Sequence, residues 1–412
     1  MKALVATGMW TLGVNLGAKA QALAILVAGG IADGVAGVGV VSAGYAAAIL
    51  GSAVADFGYS PEATRFIARN PVNGALVRII SGGVRRTPIA LSAAFVIGMV
   101  TSSGTPARVP ILALTGVAAF WVQLLSQILY GLYEHRAAAG TLFIVRILSA
   151  LLLPIAATLW ATDGVLGALL VTDTACATAL GVALRSVYRR CADGDVAERP
   201  LAAHRWLGVG AVVSALINRR DAALVASVAD STVVGVYSVA SQLQNAVATL
   251  ALVPSGALST HVAQEAQRRR DGAGVVWRMV LLVSALSTAG GVLVVAASWL
   301  PWFGPYFAEG SELEPLRLAL VILMLSGPVG TAGGLLLTAS VAHGRHRDVG
   351  LAWLMLGLIG VPLIVLLAAG YGVVGAALGA ALRDALTLGA GVVCWRRSLV
   401  GVRHRERTGG VD

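Results

Sequence analysis

Eight ionisable side chains lie inside stretches of sequence that are otherwise apolar: Lys19, Arg146, Asp173, Arg219, Arg220, Asp221, Arg383 and Asp384. A charge at the centre of a lipid-facing helix costs about 2.5–3.5 kcal/mol on insertion scales, so these groups must face one another or water. Five cations against three acids point to a cationic cavity that receives a buried anion, and intramembrane charges are by default site candidates. Internal pairing is the competing reading. Arg220 with Asp221, Arg383 with Asp384 and Arg146 with Asp173 could neutralise one another, although adjacent residues point to different sides of a helix. Asp221, Asp173 and Asp384 are in addition the candidates for ion coupling.

Polar side chains recur at helical spacing around these charges. Asn15 and Lys19 are four apart; Gln123, Gln127 and Tyr130 share a face, as do Ser214, Asn218 and Asp221, and Ser238, Gln242, Asn245 and Thr249. Such stripes offer partners to the hydroxyls of a sugar. They serve equally as helix-to-helix hydrogen bonds worth about 0.6 kcal/mol each.

The elements that hold these residues are membrane-spanning helices. The chain is 57% hydrophobic and 12% charged, with 50 glycines in 412 residues, whereas a soluble chain is about a quarter charged. A span needs about 20 apolar residues, and hydropathy gives twelve: 5–31, 35–57, 87–104, 109–132, 141–161, 164–187, 206–228, 232–258, 275–300, 316–341, 349–370 and 372–395. Of 30 Lys and Arg, 23 fall in alternate gaps or at the ends, while the intervening gaps hold only Arg108 and Arg317. The positive-inside rule then puts both termini in the cytoplasm. The net charge of +10 reads as topology and attraction to anionic headgroups, so membrane lipids are expected partners and nucleic acid is not. The N-terminal run mimics a signal peptide around Ala18-Lys19-Ala20 but continues well beyond it, which marks a retained first helix.

Two anchors predict an internal duplication. Ala32-Asp33 followed by Val-Ala-Gly-Val recurs as Ala229-Asp230 followed by Val-Val-Gly-Val, and Gly164-Val165-Leu166-Gly167-Ala168 recurs as Gly372-Val373-Val374-Gly375-Ala376. Six helices per half is an even number, so the halves run in the same sense, a parallel repeat about an axis along the membrane normal. The expected fold is all-α: twelve transmembrane helices in two six-helix bundles around a central cavity. The expected divisions are 1–190, a cytoplasmic linker at 191–205, 206–396, and a basic tail at 397–412.

Several chemistries are excluded by what is missing. The only lysines, Lys2 and Lys19, stand in no phosphate-binding Gly-rich loop, and there is no H-E-x-x-H, no G-x-S-x-G and no Cys or His pair at zinc spacing. No enzyme, cofactor or metal is expected. Cys176, Cys191 and Cys394 offer no disulfide framework.

The stretch Ala55-Asp56-Phe57-Gly58-Tyr59-Ser60-Pro61-Glu62-Ala63-Thr64-Arg65 resembles the D-x-G-(L/Y)…R segment of polysaccharide and oligosaccharide flippases in the multidrug/oligosaccharidyl-lipid/polysaccharide exporter superfamily. Val234-Gly235-Val236-Tyr237-Ser238-Val239-Ala240 and Tyr371-Gly372-Val373-Val374-Gly375-Ala376-Ala377 resemble two further segments of that family. The resemblance implies bundles that rock between inward- and outward-open states. It also implies a substrate, a glycan on a polyprenyl pyrophosphate turned from the inner to the outer leaflet of a bacterial plasma membrane. Glycan polymerases or glycosyltransferases would be partners. Family members carry cavity cations on the first helix of each half, where this chain has Lys19, Arg219 and Arg220. On this reading Lys19, Arg219, Arg220 and Arg383 attract the diphosphate, Asn15, Gln123, Gln127, Gln242 and Asn245 meet the sugar, and Asp56, Gly58 and Arg65 brace the inner end of the second helix. The alternative is a multidrug antiporter of the same superfamily exporting organic cations, whose cavity should be acidic or aromatic.

Overall fold

A computed structural model describes residues 2–101, 105–191, 194, 205–218, 221–252, 273–301, 303 and 310–407. The helices among them are α1 (Lys2–Asp56), α2 (Tyr59–Arg69), α3 (Asn73–Thr101), α4 (Val109–Gly131), α5 (His135–Tyr188), α6 (Arg205–Asn218), α7 (Asp221–Ala226), α8 (Ser231–Leu252), α9 (Ala273–Ala297), α10 (Leu313–Ala342) and α11 (His346–Arg407).

Three of these are hairpins in which helical hydrogen bonding nearly bridges a reversal of the chain. The breaks fall at Asp33–Gly34 in α1, Trp160–Ala161 in α5 and Gly372 in α11. Residues nine apart on a continuous helix are about 13 Å apart along its axis, yet a Cβ on Gly29 would lie 2.6 Å from the Cα of Val38. Gly34 and Gly372, both at φ 57, take the left-handed conformation that a side chain disfavours. These reversals sit where the apolar runs 5–31 and 35–57, 141–161 and 164–187, and 349–370 and 372–395 meet. With each hairpin crossing twice, and with α6–α7 and α8 added to the other long helices, the described helices make twelve crossings.

Some boundaries depart from the sequence reading. The third span begins at Asn73 rather than 87, because Arg78, Arg85 and Arg86 extend helically beyond the apolar core of α3. The seventh span is described on both sides of residues 219 and 220, as α6 and α7. The tail expected from 397 continues α11 as far as Arg407.

The chain forms two compact units, 1–238 and 239–412, dividing within α8 rather than in the 191–205 linker, which apart from Cys191, Gly194 and Arg205 lies outside the described residues. In the first unit, Ile67, Leu76, Phe120, Leu124, Ile128 and Leu180 form one core towards the basic, inner ends of the helices. Ala28, Val41, Leu153 and Val165 form a second core towards the opposite ends. In the second unit Val276, Val283, Leu336 and Trp395 are packed together. Large apolar side chains such as Val96, Leu151, Leu293, Leu325 and Leu366 are exposed, as expected where lipid is the solvent.

Candidate functional site

The inner end of α1 explains the Asp-x-Gly-Tyr-Ser sequence residue by residue. Gly58, at φ 77, turns the chain into α2. The buried Asp56 reaches over this turn, accepting hydrogen bonds from the Ser60 backbone N–H at 2.9 Å and from the Ser60 hydroxyl. That is a helix cap, since the first N–H groups of a helix have no partner within it. Tyr59 donates to the Ile79 carbonyl of α3 at 2.8 Å, and Arg86 lies 4.4 Å over its ring while donating to the Ala55 carbonyl at 2.8 Å. Asp56 and Gly58 thus shape the turn from α1 into α2, and the arginine packed at that turn is Arg86 of α3. Arg65 is exposed on the outer side of α2.

Two residues expected to meet a sugar sit at this brace. Gln123 donates to Asp56 Oδ2 at 3.3 Å, and Gln127 accepts from Thr64 at 2.8 Å. The stripe on α4 therefore fastens α2. Asn15 is half-buried on the first arm of α1, as is Lys19 one turn on. Around them runs a polar seam between α1 and α5: Arg146 donates to the Val14 carbonyl at 3.2 Å, Gln21 donates to Ser149 at 3.2 Å, and Ser149 and Thr172 are 3.3 Å apart. Asp173 lies beside Thr172 on α5, half-buried. Gln21, Ser149 and Thr172 were not legible as a group, because single polar residues in three separate spans carry no periodic signal.

Asp221, the first described residue of α7, is buried and accepts from the Tyr237 hydroxyl of α8 at 2.6 Å. Arg219 and Arg220 lie outside the described residues, so the expected anion site on that helix is not described.

In the second unit the polar centre is Asp384. Arg383 donates to its Oδ1 through Nε at 3.0 Å and Nη2 at 2.7 Å, while Ser326 of α10 donates to Oδ2 at 3.0 Å. Gln244 of α8 approaches Oδ2 at 3.4 Å and donates to the Leu323 carbonyl at 2.9 Å. Both charged side chains are about nine-tenths or more buried, 5% and 6% exposed. Adjacent residues do meet here, because the arginine stem is long enough to swing its guanidinium around the helix onto its neighbour. Gly330 is what lets α10 approach: a Cβ there would lie 2.7 Å from Asp384 Cγ. Gln242 and Asn245 are half-buried on the same helix, but the glutamine that reaches the carboxylate is Gln244.

The arrangement is one of carboxylates held in the apolar region by hydroxyls, amides and one arginine. The fold says what such a scaffold resembles. Aligned over 95% of this chain and 96% of the other, it superposes with a TM-score of 0.66 on an inward-facing multidrug resistance MATE family transporter of the MOP superfamily, at 16% identity. The chain has the fold of the MATE transporters. A eukaryotic MATE transporter, AtDTX14, superposes at 0.63 with 14% identity over 97% of this chain and 98% of that one. VcmN, a MATE transporter of Vibrio cholerae in its bent form, gives 0.56 at 14% identity over 98% and 99%. No protein-family model matches the sequence, and no curated protein does. The MATE fold accounts for the all-helical, multi-pass membrane architecture.

Proposed function

We propose that this chain is a secondary transporter that works by alternating access and exports an organic cation in exchange for an inward-moving ion. The observation that carries the reading is the MATE fold, shared end to end with a multidrug resistance transporter. The Arg383–Asp384 pair supports it, because one of the five cations counted towards an anion site is engaged by its neighbouring carboxylate. Exporting a cation against an inside-negative potential costs about 2.3 kcal/mol per charge per 100 mV, so such a carrier needs a coupling ion. Asp221 and Asp384, buried acids on α7 and α11, are the residues assigned to it.

A second reading, export of a polyprenyl-pyrophosphate-linked glycan at a bacterial plasma membrane, is favoured by Lys19 at mid-span and by the 55–65 sequence. There the substrate is an anion moved along the potential, needing no exchange, and Lys19 with Arg219, Arg220 and Arg383 would meet the diphosphate.

Proteoliposomes separate the two. A fluorescent organic cation should leave vesicles in response to an imposed proton or sodium gradient, and Asp384→Asn should abolish the gradient dependence. Failure of any cation to move, with a labelled polyprenyl pyrophosphate glycan becoming accessible across the bilayer, would replace this reading by the second.

A further inference from the structure

The two arms of α5 leave a furrow between them that opens sideways to the membrane. It has a volume of about 700 Å³, within the range of about 300–1,000 Å³ of ligand clefts. Its floor is made of small residues, Ala156, Gly164, Gly167 and Ala168, and its walls of larger apolar ones such as Leu152 and Val171. A Cβ on Gly167 would meet nothing within 4 Å, so the floor is open rather than collapsed. At the mouth, on the face whose loops hold few basic residues, Trp160 is 67% exposed, the position of an interfacial aromatic.

Beside it sits an ion pair. Arg108 donates through Nε to Asp163 Oδ1 at 2.6 Å, and Arg108 is one of two basic residues in the loops on that face. The Asp163 side chain, which lines the furrow, is 66% exposed and that of Arg108, behind it, 23%, and the pair engages the arginine through Nε alone. A cation can therefore still approach the carboxylate while a phosphate approaches the guanidinium.

We propose that this furrow is a binding site for one zwitterionic glycerophospholipid, an acyl chain lying along the floor, the phosphate on Arg108 and the ammonium on Asp163. The charge pattern selects the headgroup: an anionic lipid would set its net charge against Asp163, whereas a phosphate with an amine two carbons away matches both partners. The apolar walls receive the chain, because the backbone groups of the two arms are hydrogen-bonded within their own helices. The site is independent of what the protein transports.

Native mass spectrometry of the delipidated full-length protein tests it, with phosphatidylethanolamine and phosphatidylglycerol of identical chains as probes. The wild type should retain one phosphatidylethanolamine in preference to phosphatidylglycerol by about tenfold, a difference of about 1.4 kcal/mol. Gly167→Trp, which fills the furrow, should remove that adduct, and Gly167→Leu should weaken it should the larger residue disturb folding. Arg108→Gln with Asp163→Asn should bind both lipids alike. Unchanged retention in a folded furrow-filling variant, or equal retention of the two lipids by the wild type, would overturn the assignment.

Discussion

Gly39 and Gly235 pass each other with no room for a side chain on either. A methyl group on Gly39 of α1 would run into the Ser231 carbonyl oxygen, and one on Gly235 of α8 into that of Val35. The contact is mutual: the carbonyl that blocks each glycine lies one helical turn before the other glycine, Ser231 before Gly235 and Val35 before Gly39. The two glycines let the backbones of α1 and the start of α8 touch. Asp230 caps α8, accepting from the Val233 N–H at 2.9 Å.

Gly39→Ala and Gly235→Ala should each destabilise the protein by about 1–3 kcal/mol, the cost of forcing atoms into a closed contact, and should slow transport. Gly334→Ala, where a Cβ meets nothing within 4 Å, is the control and should melt no lower than the wild type. Thermal unfolding in detergent reads both. A wild-type melting temperature for Gly39→Ala would refute the close crossing.

Removing one partner of a buried ion pair strands the other, at about 3–5 kcal/mol. Arg383→Ala should therefore lower stability steeply through Asp384. The double variant Arg383→Met, Asp384→Leu should recover most of it while losing ion-driven transport, which separates packing from coupling.

Asp56→Ala removes the cap on α2 and should cost about 0.5–2 kcal/mol. Arg86→Ala should act in the same direction, since it releases Tyr59 and the Ala55 carbonyl. Arg65→Ala, on an exposed face, should stay within about 0.5 kcal/mol of wild type. Chemical denaturation of the three variants checks the order, and equal losses for Arg65 and Arg86 would contradict it.

Cys191 reports on sidedness. Burial pushes its thiol up, partly opposed by Arg190, and the thiolate is the reactive form. Alkylation should therefore accelerate with rising pH later than that of a free cysteine. A membrane-impermeant maleimide should reach it in inverted vesicles and not in intact cells, with Cys176 and Cys394 buried in the helices. Labelling from the outside of intact cells would reverse the orientation.

Apolar runs and alternating charge needed no tertiary information, because burial in lipid acts on each span separately: helix needs a run of apolar side chains whatever its neighbours do. The twelve crossings and the hairpin at Asp33-Gly34 were legible for that reason. Which polar groups meet was a different matter. Sequence spacing could nominate Gln123 and Gln242 but could not show that Asp56 takes the first while Gln244, two residues on from the second, takes Asp384. Nor could it show that Arg86 rather than Arg65 stands at the Asp56 turn. Pairing of that kind depends on the angle and depth at which helices cross, set by contacts such as Gly330 against Asp384 and Gly39 against Ser231, between residues far apart in the chain. Periodicity within one helix holds no record of them.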